Sequence, residues 1–264
     1  MNPSFLPSSI QQFIGNNPLY KNKIGQSPSD VYSFTKNNEL FYLKSSEPIF
    51  ADTTYSVLRE AKVLEWVNPK INVPELVLME ENQQYQYMMT KAISARPIVD
   101  LDISAETVIS IYTEALKQLQ AIPIQNCPFI SNLDYRLKEA KYLLDHHLIE
   151  EVDWDDVDMN LWGNYKTHAE LYNDLIENKQ KIIEDLIFSH GDITDTNIFL
   201  DDKDEIIFLD VGRAGIADRF VDITFIERCL REDCSPQDAQ TFLKHLPQDD
   251  PFKRNYFLKL DELN

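Results

Sequence analysis

The sequence predicts an α+β protein of two lobes, a small strand-rich lobe over residues 1–91 and a larger, mainly helical lobe over 92–264. Three observations predict it. Short apolar runs bounded by turn residues fill the first ninety positions, with one helical segment among them. Apolar stripes at helical spacing fill most of the remainder. A single polar-tipped hairpin pattern around residue 203 interrupts those helices. At 264 residues the chain is long enough for two cores.

Asp30 to Phe34 and Leu40 to Leu43 read as paired strands, with Lys36-Asn37-Asn38-Glu39 as their turn. Thr53 to Val67 reads as a helix, because Val57, Ala61, Leu64 and Val67 recur on one face. Glu75 to Met79 and Tyr85 to Met89 form a second strand pair around Glu81-Asn82. A connector near 90–97 leads into the helical part. Ser104 can cap a helix carrying Val108, Ile111, Ala115, Leu119 and Ile122. Leu133, Leu137, Ala140, Leu144 and Leu148 mark another, and further helices are expected at His168 to Lys181, Arg219 to Arg231, Pro236 to Leu246 and Lys253 to Leu260.

Composition narrows the class of function. Hydrophobic content of 43% and charged content of 26% are those of an ordinary globular protein. No apolar stretch approaches the ~18 residues of a membrane helix, and the N-terminus lacks the basic start and apolar run of a secretion signal. Cys127, Cys229 and Cys234 are odd in number and lack a C-x-x-C pair, so a reducing, cytoplasmic setting is expected. Lys and Arg total 25 against 44 Asp and Glu, a net charge of −19. Such a field repels phosphate backbones, which argues against nucleic acid, and concentrates a cationic partner.

The residues that carry chemistry are His190-Gly191-Asp192 with Asn197 five positions on, then Asp210-Val211-Gly212 after a short hairpin. Phosphoryl transfer from a nucleotide needs a carboxylate to orient and deprotonate the attacking hydroxyl, and oxygen ligands to hold magnesium on the phosphates. Asp192 suits the first task, and Asn197 and Asp210 suit the second. The hairpin Ile198 to Leu209 would deliver Asp210 beside Asn197. Read singly, these acids are turn residues next to strands; their order and spacing together carry the signal.

Lys44 ends the strand Leu40 to Leu43, and Glu60 falls on the apolar stripe of the following helix. A carboxylate there needs a cation, and pairing would aim the ammonium at nucleotide phosphates; the alternative is a plain surface ion pair. Gly25 to Ser29 is either an ordinary turn or a phosphate cover in which Ser27 and backbone amides replace a second glycine. Tyr42 alternates with Lys44 on one strand face and is either a stacking platform for a base or a core tyrosine. Glu150, Glu151, Asp153, Asp155, Asp156 and Asp158 place six acids in nine positions. They form either a solvated loop or a seat for ammonium groups. Asp261-Glu262 at the C-terminus leave the same two readings open.

Together these residues resemble the aminoglycoside 3′-phosphotransferases, bacterial resistance enzymes with a protein-kinase-like fold, and among them the Acinetobacter-type subgroup. The resemblance runs through Ser27 to Phe34, Tyr42 to Lys44, Arg59-Glu60, Cys127-Pro128-Phe129, Phe188 to Asp192, Asn197-Ile198-Phe199 and Asp210 to Arg213. It continues through Asp222-Ile223, Arg231-Glu232-Asp233 and Leu260 to Leu263. It implies ATP and Mg2+ as cofactors, Asp192 as catalytic base, and Asn197 and Asp210 as metal ligands. It further implies Lys44 with Glu60 at the phosphates, Ser27 over them, Tyr42 on adenine, and backbone of Thr90 to Ala92 at the adenine edge. Arg213, Asp155, Asp158, Arg231, Glu232, Asp233, Asp261, Glu262 and Asn264, the last through its terminal carboxylate, fall to the aminoglycoside. The expected partner is that small molecule, with no nucleic acid or membrane, and the protein a bacterial cytoplasmic monomer or weak dimer. Choline, homoserine or a macrolide as acceptor, and a nucleotide-binding pseudoenzyme, are the competing readings; ATP versus GTP stays open.

Overall fold

The computed structural model describes residues 6–22, 28–149 and 165–264. Ser27 and the acidic run 150–158, with Asp155 and Asp158, lie outside the described residues. Packing divides the chain into two compact units, one of Met1–Leu101 with Asp195–Arg213, the other of Asp102–Thr194 with Ala214–Asn264.

The first unit is built on an antiparallel five-stranded sheet. Its strands are β1 (Tyr20–Lys21), β2 (Asp30–Lys36), β3 (Glu39–Ser46), β4 (Leu76–Glu81) and β5 (Gln86–Lys91), in the order β1-β2-β3-β5-β4. The β2–β3 turn is tighter than expected, two residues long. Asn37 and Asn38 hold φ of 50° and 65°, the left-handed pair that matches strand twist and that asparagine tolerates. Asn82 closes the β4–β5 turn, its Oδ1 accepting from Gln84 N–H (2.9 Å) and Tyr85 N–H (3.0 Å).

Alternation sorts the sheet's faces. Tyr32, Phe34, Phe41, Leu43, Tyr87 and Met89 form a buried cluster with Leu6, Ile10 and Ile14, the last two on α1 (Ser8–Ile14). Phe34 stacks on Phe41 with centroids 5.5 Å apart, and Phe13 meets Phe41 edge-on at 5.3 Å. Tyr42 and Lys44 alternate onto the other face, where Lys44 meets Glu60 of α2 (Val57–Val67). That helix starts at Val57 rather than Thr53. Ser56 caps it, accepting from Arg59 N–H at 3.2 Å, while Thr53 is spent in a preceding turn through its hydroxyl to Phe50 C=O (2.8 Å).

The connector is not plain coil: Ala95–Pro97 forms β6. It pairs with β8 (Ile198–Asp201), which pairs with β9 (Ile206–Phe208). Asn72 fastens this small sheet, its C=O accepting from Phe208 N–H (2.9 Å) and its amide donating to Ile206 C=O (3.2 Å). These bonds explain why residues 195–213 pack with a segment far earlier in sequence.

The second unit is helical around one strand pair. It contains α3 (Ala105–Gln120), α4 (Leu133–Asp145), α5 (His168–Asn178), α6 (Phe220–Cys229), α7 (Pro236–His245) and α8 (Pro251–Asp261). Ser104, Asn132, Thr167, Ser235 and Asp250 cap five of them. The α3 stripe is buried as expected at Ala115, Leu119 and Ile122, but in its first half Ile109 and Tyr112 are buried in place of Val108 and Ile111, which are only half so. The helix expected over 168–181 stops at Asn178 in a 3-10 turn, and α6 gives way after Cys229 to a π-helical turn, Leu230–Cys234. Leu186–Ser189 forms β7, antiparallel to β10 (Gly215–Asp218). All three cysteines are free. Among the described residues no helix is long and apolar enough to cross a membrane.

Candidate active site

In the first unit Lys44 lies between two carboxylates. Its Nζ is 2.8 Å from Glu60 Oε2 and 2.9 Å from Asp210 Oδ1. Strand alternation aims Lys44 at α2, and Glu60 stands in the first turn of that helix, where a negative charge is favoured. Burial alone would lower Lys44, but the Asp210 and Glu60 charges outweigh it, so the ammonium is held above its usual range. Glu60 is shifted upward by burial, with Lys44 opposing. The lysine head is therefore a fixed positive charge on a rigid strand.

Asn197 precedes β8 and Asp210 follows β9. Leu209 N–H donates to Asn197 C=O at 2.9 Å, which continues the ladder and sets Asp210 next to Asn197 in the same small sheet. Asp210 departs from the strand at φ 51°, a left-handed conformation costly for a residue with a Cβ, and its side chain is half-exposed. Gly212 follows for a packing reason. A Cβ there would lie 2.8 Å from the Thr54 carbonyl oxygen and 3.5 Å from Glu60 Cβ. The short helix Val211–Arg213 can thus press on the entry to α2, and Arg59 Nε donates to Gly212 C=O at 2.9 Å. An amide oxygen and a carboxylate make a hard donor set, which fits a small divalent cation. Arg213 closes the short helix, half-buried.

Tyr42 is half-buried on the Lys44 face of β3, opposite Thr90 of β5. Ala92 N–H donates to Leu40 C=O at 2.9 Å, extending the β3–β5 ladder. An adenine edge would compete for that donor.

In the second unit β7 leads straight into His190-Gly191-Asp192. Asp222, fully buried on α6, holds the approach: its Oδ1 accepts from Ser189 Oγ (2.9 Å) and Gly191 N–H (2.9 Å), and its Oδ2 from His190 N–H (3.0 Å). Burial pushes the Asp222 carboxyl upward, against the opposing pull of His190 and these donors. Gly191 takes φ 82°, which glycine adopts freely. Its carbonyl accepts from buried Arg136 at 3.1 Å. The loop is thus bound from two helices, and Asp192 emerges half-buried with its backbone closed by Thr194 N–H at 3.0 Å. A carboxylate on so restrained a loop can act as a positioned base. Asp192 belongs to this unit, and Asn197 and Asp210 to the other.

Two of the acidic residues assigned to the acceptor, Asp261 and Glu232, have structural partners of their own. Asp261 accepts from Arg228 Nη1 at 3.0 Å. Burial works against the Arg228 charge, but the Asp261 carboxylate outweighs it and the net shift is upward. Glu232 and Asp233 are exposed in the π-helical turn, and Arg231 in the same turn binds Glu227 and Glu232. Glu262 is half-buried, and Asn264 donates its amide to Leu260 C=O at 2.7 Å.

Sequence reasoning gave no role to Asp222, Arg136, or the buried pair of Lys253 on α8 with Asp218, whose Nζ–Oδ2 separation is 2.6 Å. Asp218 also accepts from Asp185 N–H and Phe220 N–H, both at 2.9 Å. A polar residue on the apolar stripe, the signal that singled out Glu60, is present at Arg136 and Asp222 as well.

Comparisons with known proteins agree with this arrangement. The phosphotransferase enzyme family matches residues 22–250. An aminoglycoside 3′-phosphotransferase of Acinetobacter baumannii is 58% identical over 259 residues, covering 98% of this chain and 99% of its own. Among solved structures, aminoglycoside-3′-phosphotransferase of type VIII superposes with a TM-score of 0.79 at 23% identity, covering 97% of each chain. The aminoglycoside phosphotransferase APH(3″)-Id of Streptomyces rimosus, in complex with ADP and streptomycin, gives 0.75 at 18% identity over 96% of this chain and 95% of that one. Those two structures establish the shared two-lobed, kinase-like fold. On the family match and the near-full-length identity, this chain belongs to the phosphotransferase enzyme family and, within it, to the aminoglycoside 3′-phosphotransferases.

Proposed function

We propose that the protein transfers the γ-phosphoryl group of ATP to the 3′-hydroxyl of a kanamycin-like aminoglycoside and so confers resistance to it. The observation that carries this reading is Lys44, a lysine head fixed by Glu60 and Asp210 beside a hard-oxygen donor set. It occurs in a chain 58% identical to an enzyme named for this acceptor. The lobe of residues 1–91 takes the nucleotide, and the lobe of 92–264 the chemistry and the drug. Ser27, Tyr42 and the Thr90 to Ala92 backbone serve the nucleotide with Lys44.

Asp192 orients the acceptor hydroxyl and takes its proton as the oxygen attacks the γ-phosphorus. The bond to the β,γ-bridging oxygen breaks, and ADP leaves. Lys44 binds the phosphates it faces. Asn197 and Asp210 would hold Mg2+, which when bound offsets charge on the β- and γ-phosphates. An aminoglycoside carries several ammonium groups, and a chain of net charge −19 draws it in. Glu232, Asp233, Asp261 and Glu262 seat those ammonium groups. Asp155 and Asp158 are proposed to join them, and Arg213 to support the anions.

A panel assay tests the reading. Purified protein with Mg2+ and ATP should release ADP with kanamycin-class drugs and stay at background with choline, homoserine or a macrolide. Asp192→Ala should abolish turnover while still binding ATP. Background turnover with every aminoglycoside, or turnover with choline alone, would overturn it.

A further inference from the structure

Arg231 poses an electrostatic problem. It sits in the same turn as Glu232 and Asp233, which the acceptor reading above assigns to substrate ammonium groups. A bare guanidinium there would repel the very ligand those acids attract. The structure supplies the answer one helical turn earlier. Glu227 on α6 is buried, and both of its carboxylate oxygens accept from Arg231 Nη1 at 2.9 Å. Arg231 then reaches Glu232 Oε1 with Nη2 at 3.2 Å. The guanidinium is therefore neutralised from below by a buried acid and spends its second nitrogen on an exposed one.

The pair has ordinary i,i+4 helical spacing and falls where the helix passes into the π-helical turn. Arg231, at i+4 from Glu227, folds back on its helix, while Glu232 and Asp233 in the same turn are exposed. Arg231 is a planar fork that can bind two acids at once in fixed directions, which a lysine cannot do. We infer that Glu227 and Arg231 are positioning residues for acceptor binding. Glu227 cancels the Arg231 charge, and Arg231 fixes the Glu232 carboxylate, so that the turn presents net negative charge to an ammonium-bearing acceptor. Neither residue needs to touch the substrate for this.

The inference rests on the aminoglycoside reading and is tested separately from it. The probes are aminoglycosides sharing one ring framework but differing in the number of amino groups, with wild type as the first arm. If wild type turns them over, the reading stands and the variants report on the inference alone. Glu227→Gln frees a positive charge beside the acids. KM for the acceptor should rise about tenfold, more for acceptors with more amino groups, with KM for ATP and kcat within about twofold. Arg231→Gln distinguishes positioning from simple repulsion. A positioning arginine gives a raised acceptor KM, and a merely repulsive one gives a lowered KM. Thermal melts identify variants that fail to fold, and for these Glu227→Asp and Arg231→Lys carry the test through the same KM pattern. An unchanged or lowered acceptor KM in either substitution, or a rise independent of amino-group count, would overturn the inference.

Discussion

Glu60→Gln is the sharpest probe of the Lys44 centre and of the phosphate-binding role proposed for it. The substitution keeps the side chain's shape and one acceptor oxygen but removes a charge 2.8 Å from Lys44 Nζ. At an effective dielectric of about 20, two unit charges at that distance attract by about 6 kcal/mol. Desolvation of the two buried groups returns much of this, several kcal/mol per ion. Removing one partner of a buried pair typically costs about 3–5 kcal/mol, because the other charge is stranded. Here Lys44 keeps Asp210 at 2.9 Å, and glutamine still accepts a hydrogen bond, so a stability loss of about 1–2 kcal/mol is expected. Function should suffer more. With Glu60 neutral, Asp210 is the one counter-charge left to the ammonium among the described residues, and both groups would be drawn from the places proposed for them beside the nucleotide. KM for ATP should rise at least about tenfold, equivalent to about 1.4 kcal/mol, with kcat also reduced. Urea denaturation gives the first quantity and initial rates at saturating acceptor give the second. A variant with wild-type KM for ATP and wild-type kcat would refute the reasoning, since the ion pair would then be structural only.

Further expectations follow from the same packing. Gly212→Ala drives a Cβ to 2.8 Å from the Thr54 carbonyl, so overpacking should cost about 1–3 kcal/mol and turnover should fall as Asp210 shifts. Wild-type melting and rate would contradict this. Lys253→Met strands the buried Asp218 carboxylate. Two backbone N–H donors remain on that carboxylate, so the loss should sit near the low end, about 3 kcal/mol by urea titration. Burial opposes the Lys44 charge, but its two carboxylates win and the folded value is raised. Its stabilising contribution is then complete below the unfolded lysine value of about 10.4 and is lost only as pH rises through the higher folded value. The alkaline limb of kcat/KM for ATP should therefore show no lysine titration up to about pH 10. A limb near pH 8–9 that Lys44→Arg removes would contradict it.

Local signals in the sequence went furthest where one segment settles its own conformation. The Asn37-Asn38 turn, the Ser104 cap and the 198–209 hairpin are written in neighbouring residues, and the hairpin places Asp210 beside Asn197 through short-range bonding. Glu60 was legible because a carboxylate on an apolar stripe demands a cation. The β7–β10 pair was not, since its strands are separated by the hairpin that packs in the other unit, and a four-residue apolar run cannot announce a partner. Asp222 and Arg136 escaped for a related reason. Both stand on buried helix faces, as Glu60 does, but most of their partners are backbone groups of Ser131, His190 and Gly191, and backbone leaves no mark that identifies a partner from the sequence. In the first half of α3, Tyr112 is fully buried despite its hydroxyl, where the expected stripe had Val108 and Ile111. The halt of α6 at Cys229 reflects the change to a π-helical turn, which apolar periodicity does not encode.

The central claim is a single bond made at a single oxygen. Purified protein, ATP, Mg2+ and a kanamycin-class aminoglycoside should give one drug phosphate per ADP formed. Phosphorus-31 and proton NMR of the product should place the new phosphate on the 3′-oxygen. Product phosphorylated elsewhere, or ADP formed without a phosphorylated drug, would contradict the account.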